Sequence, residues 1–315
     1  MASLEQQMTP PRPTRHPAYV LLAALVAALS ALVVPVCSHG AMGGSAWYHA
    51  LDVIAAVNES PPEVPLLILS GGSVARESTV SDADWAAQVQ RRGGPEVVAC
   101  NISSQNRTFY EEVALVRALP QVPTIVFIGV NLERFTSPYQ SGTISLTPDT
   151  AKSANYQPHT HTQSKILTLA EKQARVHSWV TKRYPVFKSR YAYNLRQLER
   201  LVRVCKGRGL RPVILELPRN LAVIGGAFDV PVRQYHSGCY AIARKYGIPF
   251  VNFMRDARLL NRDFCDLGHL VEPGRVKYQR LLSDKTIALL RRYGMASRVD
   301  ETPAPTPAAP GSPSP

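Results

Sequence analysis

The chain has 315 residues, 45% of them hydrophobic, which is enough to bury one core of ordinary enzyme size and excludes disorder throughout. The formal net charge of +13 favours anionic partners: phospholipid head groups, acidic cell-wall polymers or nucleic acid. Basic residues concentrate between Lys152 and Arg211, either as a solvated face or as a contact for an anionic surface. They carry no zinc-finger, RNA-binding or basic-zipper pattern, so no nucleic-acid partner is predicted.

An apolar segment of membrane-spanning length lies near the N-terminus. Tyr19–Val36 is eighteen residues long and carries no charge. Arg12 and Arg15 precede it, and no Lys or Arg follows until Arg76, which predicts a cytoplasmic N-terminus and an extracytoplasmic remainder. The alternative is a cleaved signal peptide, because small residues at 38–40 offer a cleavage site. The favoured prediction is a single-pass anchor in the cell membrane.

The C-terminal end also differs from the middle of the chain. Glu301–Pro315 is rich in proline and alanine and cannot form a packed core, which predicts a disordered tail. The predicted organisation is a cytoplasmic tail (1–18), a transmembrane signal-anchor (19–36), a juxtamembrane segment (37–60), a globular domain (61–296) and a disordered tail (297–315).

Cysteine and histidine usage predicts neither a metal nor a cofactor. Four cysteines follow Cys37 and permit three complete disulfide pairings, among which the sequence does not choose. None has the close paired spacing of a zinc site. His159 and His161 are spaced like ligands on a strand, but no nearby Asp, Glu or Cys completes a site.

Short apolar strands alternate with helices through the globular part. The predicted strands are Leu66–Leu69, Glu96–Asn101, Thr124–Val130, Pro212–Leu217 and Pro249–Phe253. The predicted helices run from Ser81 to about Gln90, over Thr108–Leu119, Ile166–Arg183 and Tyr191–Lys206, around Val232–Tyr246, and from near Pro273 to Tyr293. This alternation predicts an α/β fold, a flavodoxin-like three-layer sandwich with about five parallel strands. Ligands of such folds bind at the carboxyl ends of the strands.

A long polar stretch interrupts the alternation after the third strand. Thr136–Lys165 is far longer than an ordinary connection, which is typical of a lid or a binding loop. Together with the basic helices it forms a predicted insertion over residues 136–210. We expect the polar stretch to border the active-site cleft and to be more mobile than the sheet.

Two motifs carry the chemistry. Ser73 follows the first strand after Gly71 and Gly72, where a serine hydroxyl would lie at the lip of the sheet. After the fifth strand, Asp266 precedes His269 by three residues, a spacing that lets a carboxylate orient an imidazole that activates a serine. The alternative is structural: Ser73 as a turn residue and His269 as a satisfied core histidine.

The order of four short motifs resembles that of the SGNH (GDSL-like) hydrolase superfamily, over roughly residues 64 to 293. The motifs are Gly71-x-Ser73, Asn101-x-Ser103, Gly129-x-Asn131 and Asp266-x-x-His269. The resemblance implies that Ser73 is the nucleophile, that His269 and Asp266 complete a triad, and that the Asn131 amide donates to the oxyanion. Asn131 as a simple cap of the strand end is the structural alternative.

Two positions depart from the usual motifs of the superfamily. Gly72 stands where that family usually has an aspartate. Asn106 falls at the position of a glycine whose backbone N–H serves the oxyanion hole. Asparagine tolerates left-handed backbone geometry, so the N–H donor is expected to survive. The backbone N–H of Ser103 or Ser104 is the alternative donor.

The predicted function is that of an extracytoplasmic serine esterase or O-acyltransferase. The anchor and the basic insertion are similar to those of envelope acyl-transfer proteins of the alginate acetylation and D-alanyl transfer types, which implies an acylated envelope polysaccharide or polymer as substrate and a membrane-embedded acyltransferase as a candidate partner. Arg76 and Arg134 are candidates for binding a substrate carboxylate or phosphate, with structural salt bridges as the alternative. A non-catalytic envelope protein that binds an anionic polymer is the alternative function.

Overall fold

A five-stranded sheet forms the centre of the fold, in a computed structural model that describes residues 44–154, 156 and 165–295. Its strands are β1 (Leu66–Ser70), β2 (Val98–Asn101), β3 (Thr124–Val130), β4 (Arg211–Glu216) and β5 (Phe250–Val251). All neighbouring strands are parallel, in the order β2-β1-β3-β4-β5. This is the order of a flavodoxin-like sheet, so the prediction of an α/β fold with about five parallel strands is confirmed.

Helices cover both faces of this sheet. They are α1 (Ser45–Glu59), α2 (Ser73–Arg76), α3 (Asp82–Arg91), α4 (Phe109–Ala118), α5 (Thr150–Ser153), α6 (Leu169–Ser178), α7 (Tyr184–Gly207), α8 (Leu221–Ile224), α9 (Asp229–Tyr246) and α10 (Glu272–Arg292). Side chains alternate along each strand, so Leu66 and Ile68 pack with α1, α4, α7 and α9, whereas Leu67 and Leu69 pack with α3 and α10. The predicted three-layer arrangement therefore has a core on each face of the sheet.

Local sequence signals set several helix ends. The Ser81 hydroxyl accepts a hydrogen bond from the backbone N–H of Asp84 at the start of α3. Thr108 and Glu111 form a reciprocal capping box at the start of α4. Gly247 ends α9 in a left-handed conformation, with φ of 64°, which glycine adopts without steric cost. These signals place α3, α4 and α9 close to their predicted positions.

The first helix was not predicted. Residues 37–60 were assigned to a juxtamembrane segment, but α1 packs its apolar side, including Trp47, Leu51 and Ile54, into the core. Its repeat of apolar residues at helical spacing is the signal that could have revealed it. The globular domain therefore includes residues that precede position 61.

The two predicted basic helices form one helical run that includes α6 and α7. A π-helical turn, Trp179–Arg183, joins them directly before Pro185. Proline has no N–H to donate to the preceding turn, and the wider turn accommodates it without ending the run. Phe187, Leu198 and Leu201 of α7 are fully buried in the core. Helix α7 is thus the crossover between β3 and β4, which corrects its assignment to an insertion.

The described part of the polar stretch before these helices packs beside the carboxyl ends of the strands. The Tyr156 hydroxyl donates to the carbonyl of Ser103, 2.9 Å away, just beyond the end of β2. Gln140 hydrogen-bonds the side chain of Thr108 at the start of α4. These described residues of the stretch therefore do not lie at the amino-terminal edge of the sheet, and the mobility of the stretch stays a prediction.

Several predictions concern segments outside the described residues: the anchor Tyr19–Val36, the C-terminal tail, and His159 and His161. Within the described ranges, no helix is long and apolar enough to cross a membrane. The four cysteines in those ranges are all free, so none of the three possible pairings is formed among them.

Candidate active site

The turn after β1 places Ser73 at the start of the short helix α2. A Cβ added to Gly71 would lie 2.5 Å from the Cβ of Ala75, which is closer than two non-bonded carbon atoms can approach. Gly72 has an ordinary φ of −78°, and a Cβ there would meet only the Arg134 side chain at 3.6 Å. Close packing of α2 against its own turn therefore requires glycine at position 71 and not at position 72.

Ser73, His269 and Asp266 form a hydrogen-bonded relay. The Ser73 Oγ lies 2.9 Å from the Nε2 of His269, and the Nδ1 of His269 lies 2.9 Å from the Oδ2 of Asp266. With the proton on Nδ1, His269 donates to Asp266 and accepts from the serine hydroxyl. This is the arrangement in which a histidine can take the proton of a nucleophilic serine.

A tight loop holds Asp266 and His269 in place. An antiparallel bridge between Phe264 and Leu270 closes the loop, and the N–H of Cys265 donates to the carbonyl of His269. Inside the loop, the Oδ1 of Asp266 accepts from the backbone N–H groups of Gly268 and His269, at 2.9 and 2.8 Å. The Asp-x-x-His spacing therefore lets the Asp266 carboxylate hydrogen-bond both the backbone of its own loop and the imidazole of His269.

The electrostatics of the pair favour its charged form. Burial opposes the charge on Asp266, but the hydrogen bond and charge of His269 and two backbone N–H groups lower the pKa of Asp266 to about 2. Burial likewise opposes a charge on His269, yet Asp266 and the nearby Glu77 raise the pKa of the imidazole above its ordinary value of 6.5. Asp266 is therefore ionised at any pH at which His269 titrates.

Asn131 lies just after β3, beside the strand that leads to Ser73. Its Oδ1 accepts from the backbone N–H of Arg134 at 3.1 Å and so caps the 3₁₀ turn Leu132–Thr136. Within the described residues, its Nδ2 has no hydrogen-bond partner. Capping and oxyanion donation are therefore compatible, because they use opposite ends of the same amide. The N–H of Ser73, at the first position of α2, has no intrahelical acceptor.

The loop after β2 contains the candidate backbone donors to an oxyanion, and the hydrogen bonds of the loop distinguish between them. The N–H of Ser103 donates to the Oδ1 of Asn101, and that of Ser104 donates to the carbonyl of Gly71, both at 3.1 Å. Both alternative donors are therefore engaged. Asn106 has a φ of 58°, the left-handed conformation expected of a residue that replaces glycine. Its N–H has no acceptor among the residues that the structure describes.

The two arginines predicted to bind substrate make buried ion pairs. The guanidinium of Arg134 makes two parallel bonds to Glu112, at 2.7 and 2.8 Å, and lies over the ring of Phe109. Arg76 donates to Glu77 at 2.8 Å, with only 8% of the residue exposed. Both guanidinium groups thus hold a carboxylate, as the structural alternative expects, and a role of either arginine in substrate binding stays a prediction.

Other polar groups at the site were not found from the sequence. Asn220 is fully buried and bonds the carbonyl of Asp266 with its side chain and that of Leu267 with its backbone. Its position just after β4, at the carboxyl edge, is a signal that could have revealed it. Arg175 contacts Asp266 from α6, and nothing in the pattern of a basic helix distinguishes it from its neighbours.

No group of three or more His, Cys, Asp or Glu in the described ranges could hold a metal ion. The described site offers serine, histidine, carboxylate and amide groups. These groups can carry out nucleophilic attack, proton transfer and stabilisation of an oxyanion.

No protein-family model and no curated protein matches the chain. Among solved structures it is similar to a lipase/acylhydrolase from Enterococcus faecalis, with 9% identity and a TM-score of 0.42 over 73% of this chain and 97% of that one. It is also similar to a GDSL-like lipase from Bacteroides thetaiotaomicron, with 10% identity and a TM-score of 0.41 over 77% and 98% of the two chains. Likeness this distant does not transfer an activity, so the chemistry has to be inferred from the site itself.

Proposed function

We propose that the chain is a serine esterase or O-acyltransferase of the SGNH type. The observation that carries this proposal is the continuous relay from the Ser73 Oγ through His269 to Asp266. A serine that merely formed a turn would have no need of an imidazole oriented by a buried carboxylate. The position of the relay, at the carboxyl ends of parallel strands, is where such folds bind their ligands.

The reaction follows from the geometry of the relay. The Ser73 Oγ attacks the carbonyl carbon of an ester while its proton passes to the Nε2 of His269, and Asp266 stabilises the imidazolium that forms. Negative charge collects on the former carbonyl oxygen, for which the Nδ2 of Asn131 and the N–H groups of Ser73 and Asn106 are the proposed donors. The intermediate then expels an alcohol, which takes the proton from His269 and leaves an acyl group on Ser73.

The second half of the reaction decides between hydrolysis and transfer. Water or a sugar hydroxyl gives its proton to His269 and attacks the acyl group on Ser73. Water releases a carboxylic acid, whereas a sugar hydroxyl yields a new ester. In both cases the proton returns from His269 to the Ser73 Oγ, so the same relay serves both outcomes.

We propose that the substrate is an acyl ester of a cell-envelope glycan or polymer, and that Tyr19–Val36 holds the domain outside the cytoplasm at the membrane. The apolar length of this segment and the arginines before it support this location. The net charge of +13 suits an anionic polymer. A membrane-embedded acyltransferase is a proposed source of the acyl group.

Hydrolysis of a chromogenic acetate ester by the purified full-length chain tests the activity. We expect release of the chromophore that Ser73→Ala abolishes and that Ser189→Ala, an exposed serine on α7, leaves intact. Adding an envelope glycan and analysing it for new esters distinguishes transfer from hydrolysis. If Ser73→Ala keeps the full rate, the activity does not belong to this site, and binding of an anionic polymer becomes the better explanation.

Protease treatment of intact spheroplasts tests the location. We expect the globular domain to be degraded and high salt to leave the chain in the membrane fraction. Protection from the protease would place Ser73 in the cytoplasm and remove the case for an envelope substrate. A soluble chain that begins near Ala41 would show a cleaved signal peptide instead of an anchor.

A further inference from the structure

Helix α6 holds the loop that carries Asp266 and His269. The buried amine of Lys172 donates to the carbonyls of Phe264 and Asn261 and to the Oδ1 of Asn261, at 2.8, 3.2 and 2.8 Å. Just before the helix, the N–H of Leu167 donates to the carbonyl of Cys265 at 2.9 Å. Helix α6 and the residue just before its N-cap thus hold Asn261, Phe264 and Cys265, which precede the carboxylate of the relay.

Arg175, on the same helix, contacts the carboxylate of Asp266 itself. One turn beyond Lys172, its Nη1 lies 3.1 Å from the Oδ2 of Asp266, the same oxygen that faces His269. The Asp266 side chain is only 6% exposed, whereas that of Arg175 is 48% exposed. The guanidinium therefore approaches the relay from the solvent side and shares with His269 the one carboxylate oxygen that orients the imidazole.

We propose that Arg175 is a positioning residue of the relay, which holds the Asp266 carboxylate toward His269 and sets the pH at which His269 becomes neutral. This inference rests on the proposed function for its catalytic meaning, although its physical content concerns the relay alone. A positive charge beside Asp266 weakens the hold of that carboxylate on the imidazolium. His269 consequently gives up its proton at a lower pH than it would beside Asp266 without this neighbour.

Several other charges face the same pair. The titratable groups around it are Glu77 and Arg76 at the end of α2, Lys172 on α6, and the thiol of Cys265 beside Asp266; Arg275 on α10 in turn faces Glu77 and Cys265. Arg76 and Glu77 pair with each other, and Lys172 is buried against the loop. Arg175 is half exposed, so its charge can be removed without opening the core.

The experiment measures the titration of the His269 imidazole by NMR in the full-length chain in detergent. The chain has eight histidines, and the His269→Gln variant identifies the resonances of this one. We expect neutral variants at position 175, Arg175→Gln and Arg175→Met, to raise the midpoint by about half a pH unit, as expected of one partly screened charge. Arg175→Met keeps the aliphatic stem and serves as the second neutral variant should Arg175→Gln not fold.

The controls separate the charge of Arg175 from the general charge of the helix. Arg175→Lys keeps a positive charge and should move the midpoint less than Arg175→Gln does. Lys182→Gln removes an exposed charge from the adjoining π turn, at a residue with no ion pair in the described structure, and should leave the midpoint unchanged. An unmoved or lowered midpoint in a folded neutral variant overturns the proposal.

Activity provides a second measurement that separates this inference from the proposed function. In an active enzyme, the acidic limb of kcat/KM should move to higher pH in Arg175→Gln, in step with the NMR midpoint. If Ser73→Ala keeps the full activity, the proposed function fails while the NMR titration still decides the influence of Arg175. If Ser73→Ala is inactive and the limb does not move in Arg175→Gln, only the present inference fails.

Discussion

The Ser73 Oγ lies 2.9 Å from the Nε2 of His269, although 196 residues separate the two in the chain. Ser73 comes from the turn after β1, and His269 comes from the loop between β5 and α10. The parallel sheet brings these two segments to its carboxyl edge.

Replacing Ser73 or His269 by alanine should lower kcat of ester hydrolysis by about ten-thousandfold or more, and replacing both should cost little beyond either single change. The reason is that each residue acts only through the other. Steady-state kinetics on the three variants, each checked for folding by circular dichroism, provides the measurement. Losses that multiply in the double variant would contradict a shared mechanism.

Asp266→Asn should remove a contribution to stability that depends on pH. The pKa of Asp266 is lowered to about 2, so its contribution of about 2 kcal/mol is present above its ordinary value of 3.8 and is lost as the pH falls toward 2. The raised pKa of His269 gives a contribution that is complete below 6.5 and lost as the pH rises through the folded value.

Urea unfolding of the parent and of Asp266→Asn across this pH range checks that prediction. The difference in free energy should be largest between about pH 4 and pH 6.5, inside the window set by the two pKa values. Asp256→Asn, at an exposed carboxylate, should show no such window. A difference that stayed constant with pH would mean that Asp266 and His269 do not form a charged pair in the folded chain.

Asn131→Asp should lower kcat by about a hundredfold to a thousandfold, because it removes an amide donor from the proposed oxyanion site. The variant keeps the oxygen that caps the turn at Arg134, and circular dichroism checks that it folds. Asn106→Gly keeps both the backbone N–H and the left-handed φ and should stay active, whereas Asn106→Val should be strained. Full activity in Asn131→Asp would show that the Asn131 side chain takes no part in the mechanism.

Gly71→Ala should destabilise the domain by about 1 to 3 kcal/mol, because the added methyl group overlaps Ala75. Gly72→Ala is the matched control, since its Cβ would meet only ordinary contacts at an ordinary φ. Thermal unfolding of the two variants measures the difference. Equal stability of the two would show that α2 can move away from the turn without cost.

Arg134→Met and Glu112→Gln should each destabilise the domain by about 3 to 5 kcal/mol, because each leaves a buried charge without its partner. The double replacement Arg134→Met with Glu112→Leu should recover much of that loss. The control Lys245→Gln, in the exposed pair with Glu199, should cost less than about 1 kcal/mol. If Arg134→Met raised KM for an anionic substrate and left stability unchanged, Arg134 would instead be a substrate-binding residue.

The sequence by itself determined the class of fold and the kinds of chemical group at the site. Short apolar runs separated by helix signals predict parallel strands, because burial on both faces leaves no polar side to a strand. The Asp-x-x-His spacing depends only on a local loop, so it too can be read from neighbouring residues. The left-handed conformation of Asn106 was expected from the resemblance, and it is one that asparagine tolerates.

Only the tertiary structure decided which partners the arginines near the site take. Arg134 is a candidate for binding an anion in the sequence, but in the structure Glu112 on α4 lies opposite it and compensates its buried charge. In the sequence, nothing distinguishes Arg175 from the other cations of its basic helix. The packing of α6 places it against Asp266. Propensities act over a few neighbouring residues, whereas such pairs form between segments that only the closed sheet brings together.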